Sequence, residues 1–217
     1  QALRALAVLL VVGNHLWPVL LTGGYVGVDV FFVISGFLIN SHLSKELFAT
    51  GRVSLRQFYA RRARRLLPAA LTVLGVSLVA AWLWLPYTRW SAHAQEIVSS
   101  AFYVENWVLA AKAVNYSAMN SDATMVQHYW SLSVEEQFYL IWPLMLITLY
   151  LLAGKCGWRN RRILLSGLGL VTVASFAFSI YLTAMSPSEA YFNLPVRVWE
   201  FGAGAILALS ASAPLRS

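Results

Sequence analysis

Arg4 and His15 stand eleven positions apart in "RALAVLLVVGNH", a mostly apolar stretch near the start of the chain. At ~100° per residue a helix returns to nearly the same face after eleven residues, and at ~1.5 Å rise it separates the two side chains by roughly 16 Å. An imidazole set in an apolar run is costly in a membrane, and an ionisable residue there is by default a functional candidate. A neutral imidazole takes a proton from a hydroxyl, so His15 is a candidate general base and Arg4 marks the mouth of the same stripe.

Asp29 is the next anomaly, in "GGYVGVDVFFVISGFLI". Gly23, Gly24 and Gly27 before it suit a tight hairpin and close helix approach. Asp29 then either orients His15 or pairs with an arginine, and the sequence leaves both open. "FYARRARRLLP" places four arginines before Pro68, with Arg62 and Arg65 at i, i+3 on one face. Any basic residue can mark a cytoplasmic loop, but the planar guanidinium fork suits the phosphates of a nucleotide or coenzyme A. "QHYWSLSVEEQFYL" sets His128, Ser131, Ser133, Glu135, Glu136 and Gln137 at the entrance to an apolar run. Arg197 and Glu200 in "RVWEF" read as a self-neutralising i, i+3 pair inside a bundle.

The elements that carry these residues are legible in the composition. Of 217 residues 59% are hydrophobic and 12% charged, with a mean hydropathy of +0.63. Soluble domains carry roughly a quarter charged residues, so the chain belongs in a bilayer. Segments 5–22, 66–85 and 163–185 hold no charged side chain, and each matches the ~20 residues that a spanning helix needs. Residues 25–43, 131–153 and 194–213 are similar runs with one or a few ionisable groups. The expected fold is all-α, a polytopic transmembrane helix bundle read as one membrane domain over residues 1–217.

Thirteen of the sixteen lysines and arginines cluster near Arg4, between Lys45 and Arg65, between Lys155 and Arg162, and at Arg216. Basic clusters mark cytoplasmic loops, which accounts for most of the +7 net charge and disfavours a nucleic-acid partner. The same rule exposes a parity conflict. If 94–111 and 131–153 both crossed, residues 155–162 would lie outside. Residues 94–111 carry Glu96, Glu105 and Asn106, so this stretch is expected to be re-entrant or interfacial. About six spans remain, with the N-terminus cytoplasmic. Residues 44–65 are expected to form an amphipathic helix on the membrane surface. The single cysteine, Cys156, excludes an internal disulfide and a cysteine-based metal cluster. The first apolar run lacks a signal-peptide cleavage site and reads as a retained span.

Taken together, the Arg-x10-His pair, "GGYVGVDVFFVISGFLI", "FYARRARRLLPA", "HYWSLSVEEQFYLIWP" and "LPVRVWEFGAGAILAL" resemble, in order, the acyltransferase-3 family of bacterial membrane O-acyltransferases. The wording is nearest to the subgroup often fused to an SGNH domain. The resemblance implies a truncated domain, because family members have about ten spans. It implies transfer of an acyl group, most simply acetyl, from cytoplasmic acyl-CoA to a hydroxyl of an envelope glycan or lipid-linked saccharide. The family's acceptors include lipopolysaccharide O-antigen and peptidoglycan, and the location would be the bacterial inner membrane. Acetyl-CoA is the donor substrate and no metal is implied. His15, Asp29 and Glu136 become the catalytic candidates, with His15 either the base on the acceptor hydroxyl or a transient carrier of the acyl group. Arg4, Arg62 and Arg65 become the donor-binding ones, and His128, Ser131 and Gln137 the acceptor-side ones. A proton-coupled transporter or flippase of envelope precursors is the rival reading, since it too needs buried ionisable groups. It would also show paired broken-helix repeats, and no internal symmetry is visible.

Overall fold

A computed structural model describes residues 2–115, 123–155 and 160–211; Cys156 and Arg216 lie outside the described residues. It is helical, with no strand among the described residues: α1 (Ala2–Leu16), α2 (Val26–Thr50), α3 (Leu55–Trp84), α4 (Tyr87–Ala101), α5 (Glu105–Ala113), α6 (Tyr129–Lys155), α7 (Asn160–Met185), α8 (Pro187–Phe192) and α9 (Leu194–Ala211). Five of these, α2, α3, α6, α7 and α9, are long and apolar enough to cross a bilayer.

Two sequence expectations are corrected. The run 5–22 is not one helix: α1 stops at Leu16, because Pro18 supplies no backbone N–H and disfavours helical geometry at the residue before it. α1, as described over fifteen residues, is a shorter apolar helix beside the five long ones. Residues 44–65 form no separate surface helix. α2 runs on to Thr50 and ends at Gly51, whose φ of 70° is left-handed and whose N–H returns to the Leu47 carbonyl. After a short link, α3 carries the arginine-rich stretch straight through Pro68 into the apolar stretch as one helix of 30 residues.

The described chain divides into two compact units. The first comprises residues 1–53, 141–179 and 195–217. Its hairpin brings α2 back along α1, and the sequence permits this at two glycines. A Cβ at Gly24 would strike the Leu10 carbonyl, and one at Gly27 the Ala7 carbonyl. α2 and α9 run in the same direction with their backbones nearly touching. Gly36 faces the backbone of Phe201, Gly204 faces the Val33 carbonyl, and the Phe32 and Phe201 rings stack at 4.6 Å. Such small-residue seams are how membrane helices gain contact where the hydrophobic effect is absent. Buried Asn40 donates to the Ala205 carbonyl (2.9 Å) and accepts from Trp142 of α6 (3.5 Å). α7 runs opposite to α9, with Ser175 bonded to the Pro195 carbonyl (2.6 Å) and Thr172 against Gly202.

The second unit comprises residues 54–140 and 180–194. Here α3 and the first half of α6 are antiparallel neighbours: Tyr59 donates to the Leu140 carbonyl (2.9 Å), Arg62 meets Glu136, and Tyr129 donates to the Ala70 carbonyl (3.1 Å). Residue numbers rise on one helix as they fall on the other. The chain therefore leaves α3 and enters α6 at the same end, so residues 85–128 make no net crossing. α4 and α5, of 15 and 9 residues, are broken at 102–104 and are too short to span. This is the geometry expected of a re-entrant or interfacial segment.

Candidate active site

In the first unit His15 occupies the last turn of α1 and is exposed. Its Nδ1 donates to the Val11 carbonyl at 2.8 Å. A ring nitrogen facing a carbonyl carries the proton, so the neutral ring keeps its lone pair on Nε2. The backbone thus selects the tautomer in which Nε2 is the base. Arg4, near the other end of α1, lies over the Phe31 ring at 5.4 Å, and its buried Nε–H has no acceptor among the described residues.

Asp29 takes the arginine alternative. Its Oδ1 accepts from Arg197 Nη1 at 2.9 Å, and the same nitrogen reaches Glu200 Oε1 at 2.9 Å. One guanidinium therefore bridges two carboxylates. Glu200 is 1% exposed, and no donor among the described residues reaches its Oε2. The i, i+3 spacing made the Arg197–Glu200 pair legible. The arginine that the alternative for Asp29 left unnamed is Arg197, 168 residues away in sequence.

In the second unit Arg62 and Arg65 part company. The Arg62 Nε donates to both oxygens of Glu136 (2.7 and 2.9 Å), and Nη2 adds a further bond to Oε1. Glu135 stands 3.7 Å from Nη2 and accepts the Tyr139 hydroxyl, while the guanidinium lies 3.3 Å from the Tyr139 ring centroid. Arg62 is thus held by two carboxylates and an aromatic face. Arg65 is exposed. The two donor-binding candidates therefore share a helix but not an environment.

Gln137 is bonded at both ends of its amide. Its Nε2 donates to the Tyr103 carbonyl (2.6 Å) and to Asn106 Oδ1 (2.8 Å), and its Oε1 accepts from Trp107 Nε1 (2.9 Å). Gln137 fastens α6 to the corner between α4 and α5, where Tyr103 sits at a φ of 55°, left-handed and unusual without glycine. Burial, then the negative charge of Glu136, pushes the Tyr103 phenol above its ordinary range. His128 is exposed at the start of this segment, its ring 5.0 Å from that of Tyr129, and Ser131 donates back to the His128 carbonyl at 3.2 Å.

A buried polar cluster in α4 and α5 has no counterpart among the residues singled out from the sequence as a site. Glu96 accepts from Lys112 (2.7 Å) and from Thr124, so it ties together both flanks of residues 113–123. Glu105 is fully buried; its Oε2 accepts from Ser99 and its Oε1 has no donor among the described residues. Burial, reinforced by the charge of Glu96, pushes the Glu105 carboxyl up to about 8. The available signal was the density of polar residues in 94–111, which the sequence reading used for topology alone. Among the described residues no His, Cys, Asp and Glu group is arranged to hold a metal ion.

Comparison with known proteins adds to this geometry. The chain is 40% identical over 209 residues to a provisionally named O-acetyltransferase of Staphylococcus aureus strain COL, covering 96% of this chain and 34% of that protein. It is 34% identical over 212 residues to the peptidoglycan O-acetyltransferase OatA of Listeria monocytogenes, covering 96% and 33%. A provisionally named peptidoglycan O-acetyltransferase of Bacillus subtilis, YrhL, is 34% identical over 213 residues, covering 96% and 32%. The chain thus spans about a third of the length of these curated relatives. No solved structure matches it. The family model described as an acyltransferase domain matches residues 1–211, and with the ordered motifs and the helical fold it shows that this chain belongs to the acyltransferase-3 family.

Proposed function

We propose that this chain is the membrane part of an O-acetyltransferase that moves an acetyl group from acetyl-CoA to a hydroxyl of an envelope glycan, with peptidoglycan the acceptor class that two of its relatives are named for. The observation that carries the reading is the His15 tautomer: Nδ1–H is bound to the Val11 carbonyl and Nε2 is the basic nitrogen. In the proposed step Nε2 takes the proton of the acceptor hydroxyl as its oxygen attacks the thioester carbonyl. The C–S bond breaks, and the coenzyme A sulfur leaves as a thiolate that is then protonated. The imidazolium formed meanwhile is stabilised because its Nδ1–H bond to Val11 becomes charge-assisted.

Arg4, on the helix that carries His15, is the proposed donor-phosphate contact, its buried Nε–H having no acceptor among the described residues. Asp29 and Glu136 are proposed as positioning residues that hold Arg197 and Arg62. His128 and Ser131 are proposed on the acceptor side, with Gln137 fastening that segment in place. The test is His15→Ala and His15→Gln in the full-length protein, with envelope O-acetyl content measured at equal membrane abundance. General-base catalysis contributes about 10²–10⁴-fold, so both variants are expected to lose transfer to background. Wild-type acetylation in either would remove His15 from the mechanism.

A further inference from the structure

The second unit holds a cavity of about 380 Å³ between the last turns of α3 and the first half of α4. That volume lies inside the ~300–1,000 Å³ range of small-ligand sites. Its floor is Ala81 and His93, each 4% exposed, and its walls are Leu78, Val79, Trp82 and Trp90, all exposed. Trp90 is fixed in place by the bond from its Nε1 to the Leu85 carbonyl (3.0 Å). The apolar stretch 66–84 of α3 ends beside the cavity, so the cavity opens into lipid near one membrane interface. Tryptophans at its walls are what that depth favours.

His93 gives this apolar cavity a polar floor. Its Nδ1 faces the Arg89 carbonyl at 3.1 Å, one turn back on α4, and so carries the proton. Nε2 is then an acceptor on the far edge of the ring, and no donor among the described residues reaches it. A buried acceptor without a donor is costly, and a plain hydrocarbon tail lying over it leaves that cost in place. An occupant with a hydroxyl supplies the missing donor while its chain covers the walls. The lining holds no charged side chain, so a neutral hydroxyl fits where a phosphate or carboxylate would lack a counter-charge.

We propose that this cavity binds a neutral lipid alcohol, whose hydroxyl donates to His93 Nε2 while its chain lies against Leu78, Val79, Trp82 and Trp90. The site does not depend on the proposed acetyl transfer.

The test uses the full-length protein in lipid nanodiscs with a photoreactive dodecanol and the matching dodecane as probes, each carrying its diazirine midway along the chain. Mass spectrometry locates the label, and labelling of residues 78–94 is divided by labelling of the exposed face of α7 for each probe. Wild type is expected to favour the alcohol at the cavity by about threefold or more, the size of one neutral hydrogen bond. His93→Phe keeps an aromatic ring but no acceptor and should bring the two probes level. Leu78→Trp narrows the cavity and should lower labelling by both. Level labelling by the two probes in wild type, an undiminished preference in His93→Phe, or unchanged labelling in Leu78→Trp would overturn the assignment. So would a photoreactive dodecanoate that labels the cavity more than the alcohol does, since the site would then serve anions.

Discussion

Arg62 and Glu136 form a two-pronged contact at a half-buried position, where deletion of one partner strands the other. Hydrogen bonds to charged groups are worth about 1.5–3 kcal/mol, so Arg62→Ala or Glu136→Ala alone should destabilise the protein by about that amount. The double variant should lose less than the two single losses added together, because neither charge is then left unpaired. Thermal unfolding of the four proteins in detergent checks the cycle, and additive losses would show that the pair is screened. Sequence spacing made Arg62 visible as a chemical group but assigned it to a phosphate; its partner sits 74 residues away on α6. Local spacing reports neighbours on one helix, so it found Arg197–Glu200 and offered Asp29 an arginine partner without saying which. His15 was legible because an imidazole in an apolar run is anomalous wherever the chain goes. Its tautomer needed the backbone.

Helix packing separates the glycines into two kinds. Gly36 meets the backbone of Phe201 and cannot accept a side chain without parting α2 from α9, whereas Gly75 of α3 has open space around it. Gly36→Ala should therefore sharply reduce folded protein in the membrane. Gly75→Ala should be tolerated and should add up to about 1 kcal/mol from helix propensity. Folded yield and unfolding temperature read both, and equal behaviour would contradict the close seam.

The α4–α5 pair carries a second expectation. Glu105 holds its proton up to about 8, well above an ordinary glutamate near 4.5. The folded state thus binds a proton that the unfolded chain releases, and this contribution is fully present below about pH 4.5 and is lost as pH rises through about 8. Wild type should lose unfolding temperature between about pH 6 and about pH 9 more steeply than Glu105→Gln, which stays neutral throughout. Parallel curves would mean that Glu105 is ionised in the fold. Polar density in 94–111 showed that the segment does not span, yet not that its carboxyls are buried against one another. Burial of that kind arises from the corner at Tyr103, whose left-handed backbone no residue type announced.

Within each of the two units, taken by itself, the apolar helices have definite relative directions. In the first unit α2, the second half of α6 and α9 run one way and α7 the other. In the second unit α3 opposes α6. Composition and charge placement made this legible, because lipid requires each span to be a continuous apolar helix. Helix ends were less legible. Pro18 and Gly51 act through local backbone geometry that a hydropathy window averages away.

The central proposal is that the full-length protein passes an acetyl group from a donor on one face of the membrane to a glycan hydroxyl on the other. The most direct measurement uses full-length protein reconstituted in sealed vesicles of uniform orientation. Radiolabelled acetyl-CoA is supplied on the α3 N-terminal side, and soluble peptidoglycan fragments on the opposite side. Label should appear on the fragments across the bilayer, and its rate should fall to background with His15→Ala. Label that reaches fragments only when donor and acceptor share a compartment, or that transfers equally with His15→Ala, would contradict the account.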